Sequence, residues 1–195
     1  ELDVVPLFES RADLERAREV LDEYLELAGA SDWLERRGRR LEVMLGYSDS
    51  SKDAGPTSAT LVLHATQAAI AQWADENNID LILMHGRGGA VGRGGGPANR
   101  AVLSQPKGSV NCRFKLTEQG EVIFARYGDP TLARRHVESV AGATLLQSAP
   151  SIEWVNTEST AKYADMAAAL DAASRERYLD LLNTEGFAEW FSTVT

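Results

Sequence analysis

The segment Leu81–Asn99, LILMHGRGGAVGRGGGPAN, constrains this chain more than any other. It opens with four apolar residues, Leu81–Met84, the signature of a short buried strand. Seven of the eleven residues Gly86–Gly96 are then glycine. Glycine at that density costs backbone entropy and fills no core, so a backbone requirement has to offset it. The usual requirement is a turn with φ > 0, or main-chain N–H groups brought against an anion. Charge favours the anion. From Leu81 to Thr117 there is no Asp or Glu, although the chain holds 29, while six Lys/Arg and His85 remain. RNA-binding RGG tracts are long and of low complexity, whereas this one is short and follows an apolar strand. The dinucleotide fingerprint G-x-G-x-x-G also fails, because Val91 and Pro97 occupy the third glycine positions. No G-K-[ST] follows, which excludes a P-loop. A purely structural glycine loop is the alternative left open.

Bulk properties narrow the function class. With 195 residues the chain can bury one substantial core. It is 44% hydrophobic and 25% charged, with no apolar run of membrane-spanning length, so no membrane partner is expected. A net charge of −9 argues against nucleic acid as a partner. The single Cys112 allows no internal disulfide and suits a reducing, cytoplasmic location. No signal-peptide or lipidation pattern is visible. The missing initiator Met and the ending FSTVT make the chain read like a piece of something longer.

In chain order, Val4–Phe8 is a short apolar run, and Ser10 is a natural N-cap with Asp13 in the first turn. Leu14, Ala17, Leu21 and Tyr24 repeat at helical spacing up to Gly29, and a short helix is expected over Asp32–Arg37. Val43–Leu45 leads into a Ser/Asp-rich turn, Gly46–Gly55, after which Pro56 opens a helix with Val62, Thr66, Ala69, Ile70 and Trp73 on one face. Strand–helix units therefore begin near Val4, Val43 and Leu81, which predicts βα alternation. Phe114–Thr117 and Val122–Ala125 read either as a hairpin or as a loop feeding one more sheet strand. The rest is helical. Ala133, Val137, Val140 and Thr144 line one face; Tyr163, Met166, Leu170 and Leu181 line another, with breaks at Pro150 and Asn183–Gly186.

In parallel α/β folds the residues just after each strand share one sheet edge, and that edge holds the site. Here it collects Glu9, then Asp49 and Lys52, then His85, Arg87 and Arg93. Two carboxylates from different strands fit a hard divalent cation, while lysine and arginine fit phosphate and carboxylate. The mixture points to a metal-assisted reaction on a phosphorylated or carboxylated small molecule. Individually each residue has a bland alternative. Glu9 could be a helix-start surface charge, Asp49 and Asp53 turn residues, and Lys52 a solvated lysine. His64 and His136 read as structural or exposed helix residues, and Cys112 as a small filler. Only convergence at successive strand ends lifts the acidic and basic set above these.

VMLGYSDSSKDAG at Val43–Gly55 closely resembles a signature of the phosphoenolpyruvate carboxylase family. HGRGGAVGRGGGPA at His85–Ala98, VLSQP at Val102–Pro106 and LTEQGEVI at Leu116–Ile123 are similar to further blocks of that family, as is the opening VVPLFES. The resemblance is strongest over Val4–Pro130. It implies a helix-rich α/β fold: a partial (β/α)8 TIM-barrel segment over residues 1–150, carrying active-site loops, with an additional helical segment over 151–195. It implies a cytoplasmic, allosteric carboxy-lyase, usually a homotetramer, serving anaplerosis of the tricarboxylic acid cycle. Phosphoenolpyruvate and bicarbonate would be the substrates, and Mg²⁺ or Mn²⁺ the cofactor. Oxaloacetate and phosphate would form by way of carboxyphosphate and a metal-held enolate. By the same resemblance Glu9 and Asp49 would hold the metal and Lys52 would help bind bicarbonate. Arg87 would hold phosphate, with His85 shaping that pocket. Arg93, on the glycine loop, would contact the bicarbonate-derived group until feedback inhibitors withdraw it.

The sequence departs from the family in two ways. Lys107 and Cys112 stand where Pro and Gly are more usual. The family's catalytic histidine motif, its other phosphate-binding arginines and its C-terminal inhibitor site have no counterpart in these residues. The expectation is thus a central segment of the enzyme that is inactive by itself. The alternatives are a non-catalytic anion- or metal-binding module on the same scaffold, and an interaction domain indifferent to Arg87 and Arg93.

Overall fold

A computed structural model describes residues 3–86, 98–118 and 120–195. Among them the chain alternates as expected. Strand β1 (Leu7–Phe8) is followed by helices α1 (Arg11–Glu26) and α2 (Ala30–Arg36). Strand β2 (Arg40–Gly46) is followed by α3 (Tyr47–Ala54) and α4 (Pro56–Glu76), and β3 (Asp80–Gly86) by α5 (Ala98–Leu103). Strand β4 (Lys115–Leu116) precedes α6 (Gly120–Tyr127), α7 (Pro130–Gln147), α8 (Pro150–Lys162), α9 (Ala164–Leu182) and α10 (Phe187–Val194). The four strands form one parallel sheet in the order β1-β2-β3-β4, with Leu7 opposite Met44, Leu45 opposite His85 and His85 opposite Leu116. The molecule is therefore a helix-rich α/β structure built on a four-stranded parallel sheet.

Alternation along β2 and β3 decides which face is covered. Leu41, Val43 and Leu45 are buried, as are Leu81, Leu83 and His85, while Glu42, Met44, Ile82 and Met84 are only half-buried. The buried row joins Leu14, Ala17 and Leu21 of α1 and Val62, Leu63, Ile70 and Trp73 of α4 in a single core. On the other face, Lys115 reaches Glu42 at 2.6 Å. Helix α1 begins at a capping box: the Ser10 hydroxyl accepts from the Asp13 amide and the Asp13 carboxylate accepts from the Ser10 amide, each at 3.1 Å. Two polar bonds fix the layers: Trp73 Nε1 donates to Asp22 at 2.7 Å, and the Thr66 hydroxyl to the Leu14 carbonyl at 3.0 Å.

Three expectations need correcting. Gly46–Gly55 holds a helix, α3, rather than a Ser/Asp turn; the Ser50 and Ser51 hydroxyls bond the Gly46 and Tyr47 carbonyls, each at 2.7 Å, and so do not compete for the backbone amides as they would in a turn. Of the two readings of Phe114–Thr117 and Val122–Ala125, the hairpin fails, since Val122–Ala125 lies in helix α6, while one more sheet strand does form at Lys115–Leu116. Cys112 is exposed and has φ +57°, so it fills no core. Among the described residues no helix is long and apolar enough to cross a membrane.

Candidate active site

Parallel pairing puts the ends of all four strands on one edge, and the site is built there. β1 ends at Phe8, so Glu9 is the first residue beyond the sheet. It lies hard against the end of β2: a Cβ on Gly46 would stand 2.4 Å from the Glu9 Cβ and 3.3 Å from its Oε2. Glycine is thus required at position 46 for the two strand ends to converge. β2 passes directly into α3, and Asp49 falls in its first turn, where the helix dipole favours a carboxylate. Lys52, one turn on, donates to Asp49 Oδ1 at 2.9 Å. The Lys52 ammonium holds the Asp49 carboxyl below its usual range, by hydrogen bond and then by charge, with a smaller hydrogen-bond contribution from Glu9. Two carboxylates from separate strands and one ammonium therefore meet on the strand-end edge. Asp49 and Lys52 are open to solvent there and Glu9 is half-buried.

His85, next to last in β3, lies near the same edge but is buried, at 1% exposure. Its Nδ1 is 2.7 Å from the Tyr47 hydroxyl, and its ring stacks on Phe114 with centroids 4.5 Å apart. Tyr47 opens α3, so the histidine is tied to the helix that carries Asp49 and Lys52. Arg87 and Arg93, with the glycine loop, lie outside the described residues. Among those described, no group of three or more His, Cys, Asp or Glu could hold a metal ion.

Sequence reading missed three contributors. Tyr47 carried a usable signal, since it directly follows a strand in the GYSDSSKDAG block. Arg11 and Tyr178 carried none. The Arg11 guanidinium pairs bidentately with Asp171 of α9 at 2.7 and 2.9 Å, and the Tyr178 hydroxyl donates to the Lys52 carbonyl at 2.9 Å.

The comparison with known proteins is consistent across the chain. A family model described as phosphoenolpyruvate carboxylase matches residues 1–195. The chain belongs to the phosphoenolpyruvate carboxylase family. It is 43% identical over 194 residues to the phosphoenolpyruvate carboxylase of Mycobacterium leprae, covering 98% of this chain and 20% of the relative. To the Corynebacterium diphtheriae protein of the same name it is 44% identical over 195 residues, covering 100% of this chain and 21% of the relative. The Burkholderia mallei protein is 41% identical over 192 residues, 98% of this chain and 19% of the relative. The chain thus spans about a fifth of the length of these phosphoenolpyruvate carboxylases.

Proposed function

We propose that this chain is the part of a phosphoenolpyruvate carboxylase that supplies cation, bicarbonate and phosphate contacts, and that its sheet is an arc of a (β/α)8 barrel. The observation that carries this reading is the meeting of Glu9, Asp49 and Lys52 at one edge of a parallel sheet, in a chain of this family. The donor set fits Mg²⁺ or Mn²⁺. Such cations take one or two carboxylates and keep several waters, and an Asp49 held ionised by its surroundings is a ready oxygen ligand. When bound, the cation supplies positive charge beside the enolate oxygen as that oxygen gains charge.

The remaining roles belong to the chain's own residues. Glu9 and Asp49 are the residues that would hold a cation, and the Lys52 ammonium beside them would orient bicarbonate. A bicarbonate oxygen then attacks phosphorus; the P–O bond to the enol breaks, leaving carboxyphosphate and the enolate of pyruvate. Arg87 and Arg93 are assigned to the charge on the transferred phosphoryl and carboxyl groups. Carboxyphosphate breaks down to CO₂ and phosphate, and the enolate carbon attacks CO₂ to give oxaloacetate. His85, buried and bonded to Tyr47, keeps the end of β3 and the start of α3 in register beneath the reacting groups.

Calorimetric titration with Mn²⁺ tests the reading. Glu9→Gln and Asp49→Asn each remove one charge at nearly constant shape, and each is expected to weaken binding by about 100-fold. Unchanged affinity in both variants would refute the assignment.

A further inference from the structure

Resting on that reading of the cation site, we infer that helix α9 is a strap that fixes the spacing between Glu9 and Asp49. The two carboxylates come from different units of the sheet, and each is tied to α9 by a different side chain.

Glu9 is followed two residues later by Arg11, the first residue of α1. The Arg11 guanidinium spreads across three elements: it donates to both oxygens of Asp171, to the Ser58 hydroxyl at 2.8 Å and to Glu15 at 2.7 Å. Its backbone amide donates to Asp53 of α3 at 2.7 Å. The Arg11–Asp171 pair is largely shielded, with side-chain exposures of 22% and 19%. A fork pairing of this kind fixes direction as well as distance.

Asp49 is reached through the backbone of α3, the helix that carries it. The last carbonyls of a helix have no partner within it, and the Tyr178 hydroxyl supplies one to Lys52. The Tyr178 ring then closes over Gly55, where φ is +83° and a Cβ would stand 2.8 Å from the ring's Cγ. Glycine at position 55 ends α3 and makes room for the ring at once. The C-terminal end of α3 is thus held against α9 through its backbone, whatever the Asp49 carboxylate binds.

Asp171 and Tyr178 are seven residues apart, two helical turns, and so share one face of α9. Ser174 lies between them, and all three are half-buried on a helix otherwise largely exposed. One rigid helix face therefore holds the segment after β1 and the helix after β2 at a fixed separation. A divalent cation shared by Glu9 and Asp49 would require that separation to be set beforehand. Asp171 and Tyr178 act through other residues and are positioning residues.

The test is Mn²⁺ calorimetry on the 195-residue chain, with folding of every variant checked by circular dichroism. Tyr178→Phe keeps the ring over Gly55 and removes only the hydroxyl; Asp171→Asn keeps the shape and removes the charge. Each is expected to weaken Mn²⁺ binding about tenfold, as loss of a partner behind a metal ligand usually does. Asp129→Ala serves as the control. It removes the side-chain N-cap of α7, a loss of stability with no link to α3 or Arg11, and is expected to leave Mn²⁺ affinity unchanged. Wild-type binding that is lost in Asp49→Asn but retained in Tyr178→Phe and Asp171→Asn would overturn the strap and leave the cation site standing. An equal loss in Asp129→Ala would also overturn it, since general destabilisation would then account for the effect. A wild-type chain that binds Mn²⁺ no better than Asp49→Asn would remove the site and the strap together.

Discussion

The sheet and the C-terminal helices use apolar residues in opposite ways. In β2 and β3 every second side chain is buried, and α1 and α4 cover that row within the same polypeptide. Helices α8, α9 and α10 bury no residue at all, although Trp154, Met166, Leu170, Leu181, Trp190 and Phe191 are all large and apolar. Exposure of the latter runs from 46% at Leu170 to 65% at Trp154. Large apolar side chains on a helix therefore do not place the partner that would cover them in the same chain. Relatives about five times longer have ample chain to supply one.

The largest effect expected from this contrast is on turnover. The 195-residue polypeptide alone is expected to form no oxaloacetate from phosphoenolpyruvate, bicarbonate and Mn²⁺, measured by coupling to malate dehydrogenase. Groups that neutralise charge as a unit lose most of their effect when some are absent. Turnover that disappears in Lys52→Ala would show a cover for those helices to be dispensable and would break the comparison.

Next in size is stability in urea. Ile70 on α4 is fully buried, so Ile70→Ala is expected to cost about 2–5 kcal/mol. Trp190→Ala on α10, at 58% exposure, is expected to stay within about 0.5 kcal/mol. Similar losses at both positions would mean that the C-terminal face is covered in solution, and equilibrium sedimentation would then show association.

The smallest effect concerns the start of β3, where Asp80 bonds Arg113 and Arg40 and its pKa falls from 3.8 to about 2. The hydrogen bond from Arg113 is the main cause, opposed by partial burial. Because the folded value lies below the unfolded one, the stabilisation is complete above about pH 4 and fades as pH falls through 2. After discounting for solvent, since a third of the side chain is exposed, Asp80→Asn is expected to cost about 1 kcal/mol at pH 7. Near pH 2 that cost is expected to shrink toward zero. A pH-independent difference in urea midpoint would contradict this account.

How far the sequence could be read depends on the range of the forces involved. Ser10 and Asp13 lie three residues apart, and a capping box is visible at that distance. The alternation of Leu41, Val43 and Leu45 is equally local, and strand ends converge in any parallel sheet, so Glu9, Asp49 and Lys52 could be grouped without coordinates. Composition misled at two places. Ser, Asp and Lys in 47–54 suggest a turn, but serine hydroxyls folded back on helix carbonyls make a helix tenable. Val122–Ala125 has strand-like residues, yet follows Glu118, which pairs at 2.7 Å with Arg126 in the last turn of α6. The buried side of His85 and its bond to Tyr47 lay beyond spacing arguments. So did Arg11–Asp171, whose partners are 160 residues apart.

That separation also carries a timetable. Since sheet order equals chain order, each strand finds its neighbour already synthesised, and the sheet can grow in step with translation. The bonds of Arg11 and Lys52 to α9 have to wait for partners 160 and 126 residues downstream. At typical elongation rates Arg11 stays without Asp171 for roughly 10 to 30 seconds, although Glu15 and Ser58 are made sooner. The carboxylate edge thus acquires its final geometry late, after the layer beneath it has set, and a nascent chain stalled before α9 would display Glu9 and Asp49 without the helix that spaces them.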